Sequence, residues 1–439
     1  MFDKNLQECI EMRPTLRAWL AEYDAISAEY RKSFEAQGIV FEPCNEHMCA
    51  TEQVLERLRN KGALFRNGRA SISINWLSSA CRACSEQAGS KTFYLSLKCN
   101  KNCYFCFNPN QIGYGSHLKD AEEWKAEVDA FKQEADTVTH IGLTGGEPLL
   151  HPQETLEFLR YVQNGCPGVH TRMYTAGDPL DIPLMEKLAA AGLSEIRFSI
   201  KLDDGKKAVE STLAKIALAR EYFVDVLVEM PVIPGTEAMM QNLLCHLDKI
   251  GIRGINLLEF CFPLNRWQEF EKRGFRVKNP PFAILYNYGY AGGLPVAASE
   301  LGCLELVEFA LDEGLSLGVH YCSLDNKNRY QIFQQNTTAY LNPLLYEQSD
   351  SDFFYRVAKV FDEDVGVVKE ILEAHGVTDF SFEEQGLCLA FHPQYLTLLK
   401  GYEVIAALSC NVVEGEGRER CVRELALNII DHDREVFHE

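Results

Sequence analysis

Apolar residues recur at three- and four-residue intervals through residues 3–35. They do so again through ATEQVLERLRNK (50–61), which predicts two leading helices. From residue 91 the texture becomes an alternation. KTFYLSLKC, VTHIGLTGGEP, VHTRMYTAG, SEIRFSIK, VDVLVEMPVIPG and IRGINLLEFCF read as strands. Between them lie helical stretches, from HLKDAEEWKAEVDAFKQEA (117–135) to TEAMMQNLLCHLDKIG (236–251). One strand and one helix in roughly every 30 to 40 residues predicts parallel βαβ units.

Six strands between residues 91 and 262 are fewer than the eight of a closed barrel. The predicted fold class is α/β. It is a partial (β/α)6 TIM-like barrel with an N-terminal helical, Cys-rich segment and a mainly helical C-terminal region. Right-handed connections put the carboxyl ends of the strands on one rim, where sites of α/β proteins sit. The expected segments are 1–90, the barrel core 91–265, a barrel extension with a substrate-pocket segment 266–345, and a helical region 346–439. Within the extension, AASELGCLELVEFALDEG reads as a helix and LSLGVHYCSL as a strand. Tyr286, Tyr288 and Tyr290 fall at period two, which would set them on one strand face.

The chain has 439 residues, 46% of them hydrophobic and 24% charged, as expected for a globular protein that can bury a core. Its formal charge of -20 argues against a nucleic-acid partner, which needs clustered Lys and Arg. No apolar run approaches the roughly 20 residues of a membrane helix, and the N-terminus lacks a signal-peptide layout. The expectation is a cytoplasmic protein with no membrane partner. In a reducing compartment, 16 cysteines read as core residues, metal ligands or catalytic groups before disulfides.

Three of those cysteines stand in SLKCNKNCYFCFNPNQ (96–111), directly after the first barrel strand. Cys99, Cys103 and Cys106 can wrap three corners of a [4Fe–4S] cube and leave the fourth iron open. The same spacing also suits part of a zinc site with a distant fourth ligand. Lys98 and Lys101 beside them would favour the thiolate form. The second strand ends in LTGGEPLL (143–150). Gly145 and Gly146 allow close backbone approach, Glu147 brings a carboxylate and Pro148 fixes the turn. Alone, that stretch reads as an ordinary glycine-rich turn.

Together the two motifs resemble the radical S-adenosylmethionine (SAM) superfamily over roughly residues 91–265. Cys99, Cys103 and Cys106 match its cluster motif, with Phe105 at the aromatic position. Gly145, Gly146, Glu147 and Pro148 match its cofactor-ammonium motif. The resemblance implies a three-cysteine [4Fe–4S] cluster whose open iron is chelated by SAM. It implies reductive cleavage to a 5′-deoxyadenosyl radical that abstracts hydrogen from a substrate. It further implies cofactor contacts at the strand ends, with Thr175 and Asp178, Ser199 and Lys201, and Pro231 and Val232 as candidates.

Two further cysteine pairs, Cys44 with Cys49 and Cys81 with Cys84, are separated by 31 residues. They suggest a second metal site, either zinc or an auxiliary [4Fe–4S] cluster, with His47 as a substitute ligand. Cys388, Cys410 and Cys421 do not reproduce the SPASM extension of peptide-modifying relatives. Cys9, Cys166, Cys245, Cys261 and Cys303 read as buried thiols. His320 and Cys322 stand in a polar run that is a candidate pocket lining. The leading expectation is an enzyme resembling ribosomal-peptide maturases, served by a small reducing protein such as flavodoxin or ferredoxin. The alternatives are a small-metabolite enzyme, a glycyl-radical activase, and a non-catalytic iron–sulfur scaffold.

Overall fold

The computed structural model describes residues 13–85, 89–111, 113–118, 124–134, 138–337, 341–415 and 419–430. The backbone divides into two compact units, one of residues 40–281 with 292–327, the other of residues 1–39, 282–291 and 328–439. The expected segment 266–345 is thus shared between both units. Among the described residues no helix is long and apolar enough to cross a membrane.

The larger unit is built on one nine-stranded sheet. Its strands are β1 (Leu64–Arg66), β2 (Ser71–Ile74), β3 (Gly89–Tyr94), β4 (Val138–Thr144), β5 (His170–Thr175), β6 (Glu195–Phe198), β7 (Asp225–Val232), β8 (Gly254–Glu259) and β11 (Gly318–Cys322). A separate ribbon pairs β9 (Cys261–Phe262) with β10 (Leu294–Pro295). The sheet order is β1-β2-β11-β8-β7-β6-β5-β4-β3. Strands β3 to β8 run parallel, each joined to the next through helix, as the alternation predicts. The fold is a partial TIM-like barrel with seven parallel strands rather than six. The strand expected in the extension, β11, pairs with β8, setting His320 opposite Asn256. Strands β2 and β1 continue the sheet antiparallel.

Alternate residues of these strands meet different surroundings. Ile141, Leu143, Met173, Ile196, Phe198, Val228, Ile255 and Leu257 join the hydrophobic core with the helices. Fully burying each such side chain is worth roughly 1.5–3 kcal/mol. The other face is polar. Register pairs Thr92 with Gly142, Gly142 with Arg172, Tyr174 with Arg197, and Glu229 with Asn256. Parallel strands covered on both faces usually read as continuous apolar runs. The alternation here marks a polar barrel interior.

The smaller unit corrects the expected helical C-terminal region. Its helix Asp364–Ala374 packs against an antiparallel sheet. The strands are β12 (Glu347–Gln348), β13 (Tyr355–Phe361), β14 (Phe380–Glu383), β15 (Cys388–Phe391), β16 (Ala406–Glu414) and β17 (Cys421–Ile430). Their order is β14-β15-β13-β16-β17, with β12 also on β13. The central strand β13 is buried on both faces, so its apolar run imitates a helix. Its buried Lys359 is matched by Glu383 at 2.7 Å and Glu424 at 2.9 Å. The first described helix, Pro14–Glu35, lays Leu16, Trp19 and Tyr23 against Phe361, Ala407 and Leu427. Residues 284–293 form no strand. Tyr288 and Tyr290 are buried in a loop, their ring centroids 4.9 Å apart.

Candidate active site

The cysteine loop and the glycine turn are held together mainly by backbone. Past β3 the chain runs through Ser96 and Lys98 into Cys99. Past β4 it enters Gly145. The Gly146 N–H donates to the Ser96 carbonyl at 3.0 Å, and the Glu147 N–H to the Lys98 carbonyl at 2.8 Å. A Cβ on Gly146 would lie 1.9 Å from the Lys98 oxygen, and one on Gly145 would lie 2.6 Å from the Ser96 oxygen. Gly145 also has φ +109°, a region that favours glycine. From the other end of the loop, Asn108 Nδ2 donates to the Gly145 carbonyl at 2.7 Å.

Glu147 is 2% exposed, and burial pushes its carboxyl above the ordinary range. Its Oε1 accepts from Thr175 Oγ1 at 2.7 Å and from the Leu149 N–H at 3.1 Å. Among the described residues its Oε2 accepts only the Ala176 N–H, at 2.7 Å, and keeps acceptor capacity for an ammonium. The carboxylate therefore braces the turn onto the end of β5. The Thr175 hydroxyl is spent on Glu147.

Cys99, Cys103 and Cys106 line a cavity of about 320 Å³ together with Phe105, Gly145, Gly146 and Glu147. Thr175, Ser199, Lys201 and Pro231 line it too. Lys201 Nζ stands 5.3 Å from the Phe105 ring centroid. Burial raises the Cys99 and Cys106 thiols. The Lys101 and Asn108 N–H groups act in the opposite direction. Three thiols on one wall beside a glycine cradle suit a [4Fe–4S] cluster with an open iron, and Gly145 to Glu147 suit the amino-acid end of SAM.

Other expected site residues lie elsewhere. Pro148 is buried at the start of a short 3-10 turn. Asp178 does not line the cavity; it accepts from Asn100 Nδ2 at 3.2 Å and pairs with Lys101 Nζ at 3.2 Å. Lys101 is also bound to Asp204 at 2.7 Å, so its ammonium serves carboxylates beside the loop rather than the thiols. Val232 is fully buried in the helix-facing core, because strand alternation turns it away from the side that Pro231 faces.

Among the described residues the four upstream cysteines form no common cluster of ligand atoms. Cys81 accepts from Arg197 Nη2 at 3.4 Å and from Asn256 Nδ2 at 3.3 Å, inside the barrel. Cys81 and Cys84 share electrostatic surroundings with Arg197, Glu229 and Cys322. Cys44 and Cys49 are exposed, and His47 Nδ1 pairs with Glu42 at 2.6 Å. The physical reason is placement: one pair stands at a surface turn and the start of a helix, the other on a short helix leading into β3. Cys9 lies outside the described residues.

The interior wall of the barrel was not anticipated. Arg197 is bound through Nε to Glu195 and through Nη1 to Glu229 at 2.6 Å. Asn256 donates to Glu229 at 2.7 Å, and its Oδ1 meets His320 Nδ1 at 3.0 Å. His320 Nε2 meets Ser71 Oγ at 2.9 Å. His320 is therefore a satisfied strand histidine; burial and Arg197 push it down to about 3, and it does not line the cavity. Burial opposes ionisation of Glu195, but Arg197 and His170 outweigh it and hold the carboxyl at about 2. Tyr174, Glu229, Glu259, Cys261 and Lys327 line the cavity on this side. The polar alternation in SEIRFSIK and VDVLVEMPV was the signal for part of this wall. Lys327 had none.

Residues 93–244 match the family model described as Radical SAM superfamily. With the motif and the partial barrel, residues 93–244 are a radical SAM domain, and the chain is a radical SAM enzyme. Over 326 residues it is 26% identical to a Methanocaldococcus jannaschii protein provisionally named a glycyl-radical enzyme activating enzyme. That match covers 71% of this chain and 82% of the relative. It is 32% identical over 108 residues to the PqqA peptide cyclase of Rhizobium meliloti, covering 24% of this chain and 27% of that one. Streptococcus suis SuiB bound to its precursor peptide SuiA aligns at 14% identity and TM-score 0.34, covering 48% of this chain and 43% of that chain.

Proposed function

We propose that this chain reductively cleaves SAM at a [4Fe–4S] cluster held by Cys99, Cys103 and Cys106, and abstracts hydrogen from a peptide substrate. The observation carrying the reading is that the three thiols, the Gly145–Glu147 cradle and a charged barrel wall line one cavity. The cluster and SAM, when bound, supply the 5′-deoxyadenosyl radical. The protein's residues do the rest. Gly145 and Gly146 bring backbone groups to the cofactor, Glu147 braces them, and the cavity limits access of water. A small reducing protein such as flavodoxin or ferredoxin supplies the electron. The likeness to a peptide cyclase supports the peptide.

A second reading, activation of a glycyl-radical enzyme, is favoured by the relative that aligns along 71% of the chain. Anaerobic assay with dithionite and SAM tests the shared core. Wild type should form 5′-deoxyadenosine and Cys103→Ala should form none. Product from the Cys103→Ala variant would remove the assignment. Appearance of a glycyl radical on a co-produced partner enzyme would select the second reading.

A further inference from the structure

One cluster of ligand-type side chains lies outside the cavity and is independent of the reading above. It falls in EPCNEHMC (42–49), the turn that enters the helix Met48–Asn60. Among the described residues, Glu42, Glu46 and His47 each bring one ligand atom within 4.8 Å of the others. None of the three lines the cavity.

Backbone and side-chain bonds fix this turn to residues 277–279. The Glu42 N–H donates to the Val277 carbonyl at 2.9 Å, and the Asn45 N–H to the Asn279 carbonyl at 2.8 Å. Asn279 Nδ2 donates to the Glu42 carbonyl at 3.0 Å. Glu42 is thereby drawn inward and is 3% exposed. Its Oε1 accepts the Asn279 N–H at 3.3 Å, and its Oε2 meets His47 Nδ1 at 2.6 Å. Among the described residues no Lys or Arg pairs with it. The imidazole balances its charge only when protonated. Buried carboxylates are paired with a cation or coordinate a metal.

Glu46 brings a second carboxylate to the same place. Two like charges this close repel unless a cation stands between them. The guanidinium of Arg276 is 3.8 Å from Glu46 and both side chains are exposed, so that pair is weak. Helix capping does not account for the imidazole either, since His47 stands at the N-terminus of Met48–Asn60 without a side-chain cap bond.

Ligand atoms about 2.0–2.2 Å from a zinc ion stand no more than about 4.4 Å apart, so a small side-chain adjustment seats one ion here. The Asn279 N–H on Glu42 Oε1 is the kind of outer hydrogen bond that orients a ligating carboxylate. An imidazole nitrogen among the donors favours zinc and its first-row neighbours over calcium or magnesium. We propose that Glu42, Glu46 and His47 hold one divalent transition-metal ion of the zinc type, with water in the fourth position. The ion fastens the start of the helix Met48–Asn60 to residues 277–279. Cys44 and Cys49 are exposed neighbours whose thiols do not join the cluster of ligand atoms among the described residues.

The test dialyses reconstituted holoenzyme against buffered Zn²⁺ and counts zinc and iron on the same sample. Wild type should hold one zinc per chain with its iron content unchanged, and zinc should raise its Tm. Glu46→Gln, at an exposed position, and His47→Gln should each weaken zinc binding tenfold or more and remove the rise in Tm. Zinc-edge X-ray absorption should show nitrogen and oxygen neighbours at about 2.0–2.2 Å. Sulfur at about 2.3 Å that disappears in the Cys44→Ser/Cys49→Ser variant would overturn the ligand set. Three other results would overturn the site: no zinc retained, zinc gained only as iron is lost, or zinc held equally by wild type and both variants, an adventitious ion only. SAM cleavage by Glu46→Gln should match wild type, so a failure here leaves the SAM reading standing.

Discussion

The two walls of the cavity are made differently. The wall with Cys99, Cys103 and Cys106 is held by main-chain hydrogen bonds from Gly146 and Glu147 to Ser96 and Lys98. The barrel interior is held by side chains, Arg197 to Glu195 on its own strand and to Glu229 on the next, and Asn256 to Glu229 and His320 on the strands beside it. A backbone-built wall tolerates little change in shape and presents the groups any SAM-dependent relative would need. A side-chain-built wall is fixed by charge balance and can be re-specified strand by strand. Geometry therefore limits one wall and electrostatics the other.

The comparison can be broken at either wall. The largest effect is expected from Arg197→Met. It strands two carboxylates around a guanidinium with 4% exposure and should cost about 3–5 kcal/mol, read as a fall in Tm. Next is Gly146→Ala. Its Cβ would meet the Lys98 oxygen, so the turn must shift, and SAM cleavage should fall on the order of 10²-fold with Tm less affected than in Arg197→Met. Asn108→Ala removes one hydrogen bond to Gly145 and should cost about 1 kcal/mol, a few-fold in rate. Asp178→Asn, at a half-exposed pair with Lys101, should change stability by less than about 1 kcal/mol.

Acid titration sharpens the contrast. Glu195 sits at about 2 in the fold and at its ordinary value of 4.5 when unfolded. A depressed carboxyl stabilises fully above 4.5, and that contribution is lost as pH falls toward 2. Thermal unfolding from pH 6 to pH 2.5 should therefore show a loss in wild type that Glu195→Gln lacks. An equal loss in both proteins would place the acid-sensitive group elsewhere.

What could be read from the sequence follows the same division. The thiols and the GGEP turn are contiguous, so their spacing carried the chemistry and the rim on which it sits. Thr175, Ser199, Lys201 and Pro231 were reachable because strand ends share that rim. Val232 was misplaced by one residue of alternation, and Asp178 by an ion pair to Lys101 that spacing does not reveal. Asn256 and His320 meet only through the tertiary pairing of β8 with β11. The C-terminal sheet was missed because β13 is apolar on both faces.

The most direct test of the central claim is electron paramagnetic resonance of the anaerobically reconstituted, reduced protein, with and without SAM. It compares wild type with the variant in which Cys99, Cys103 and Cys106 are all replaced by Ala. The account expects a reduced [4Fe–4S] signal in wild type that changes when SAM is added, and no SAM-responsive signal in the variant. A signal that ignores SAM in wild type, or one that responds to SAM in the variant, would contradict it.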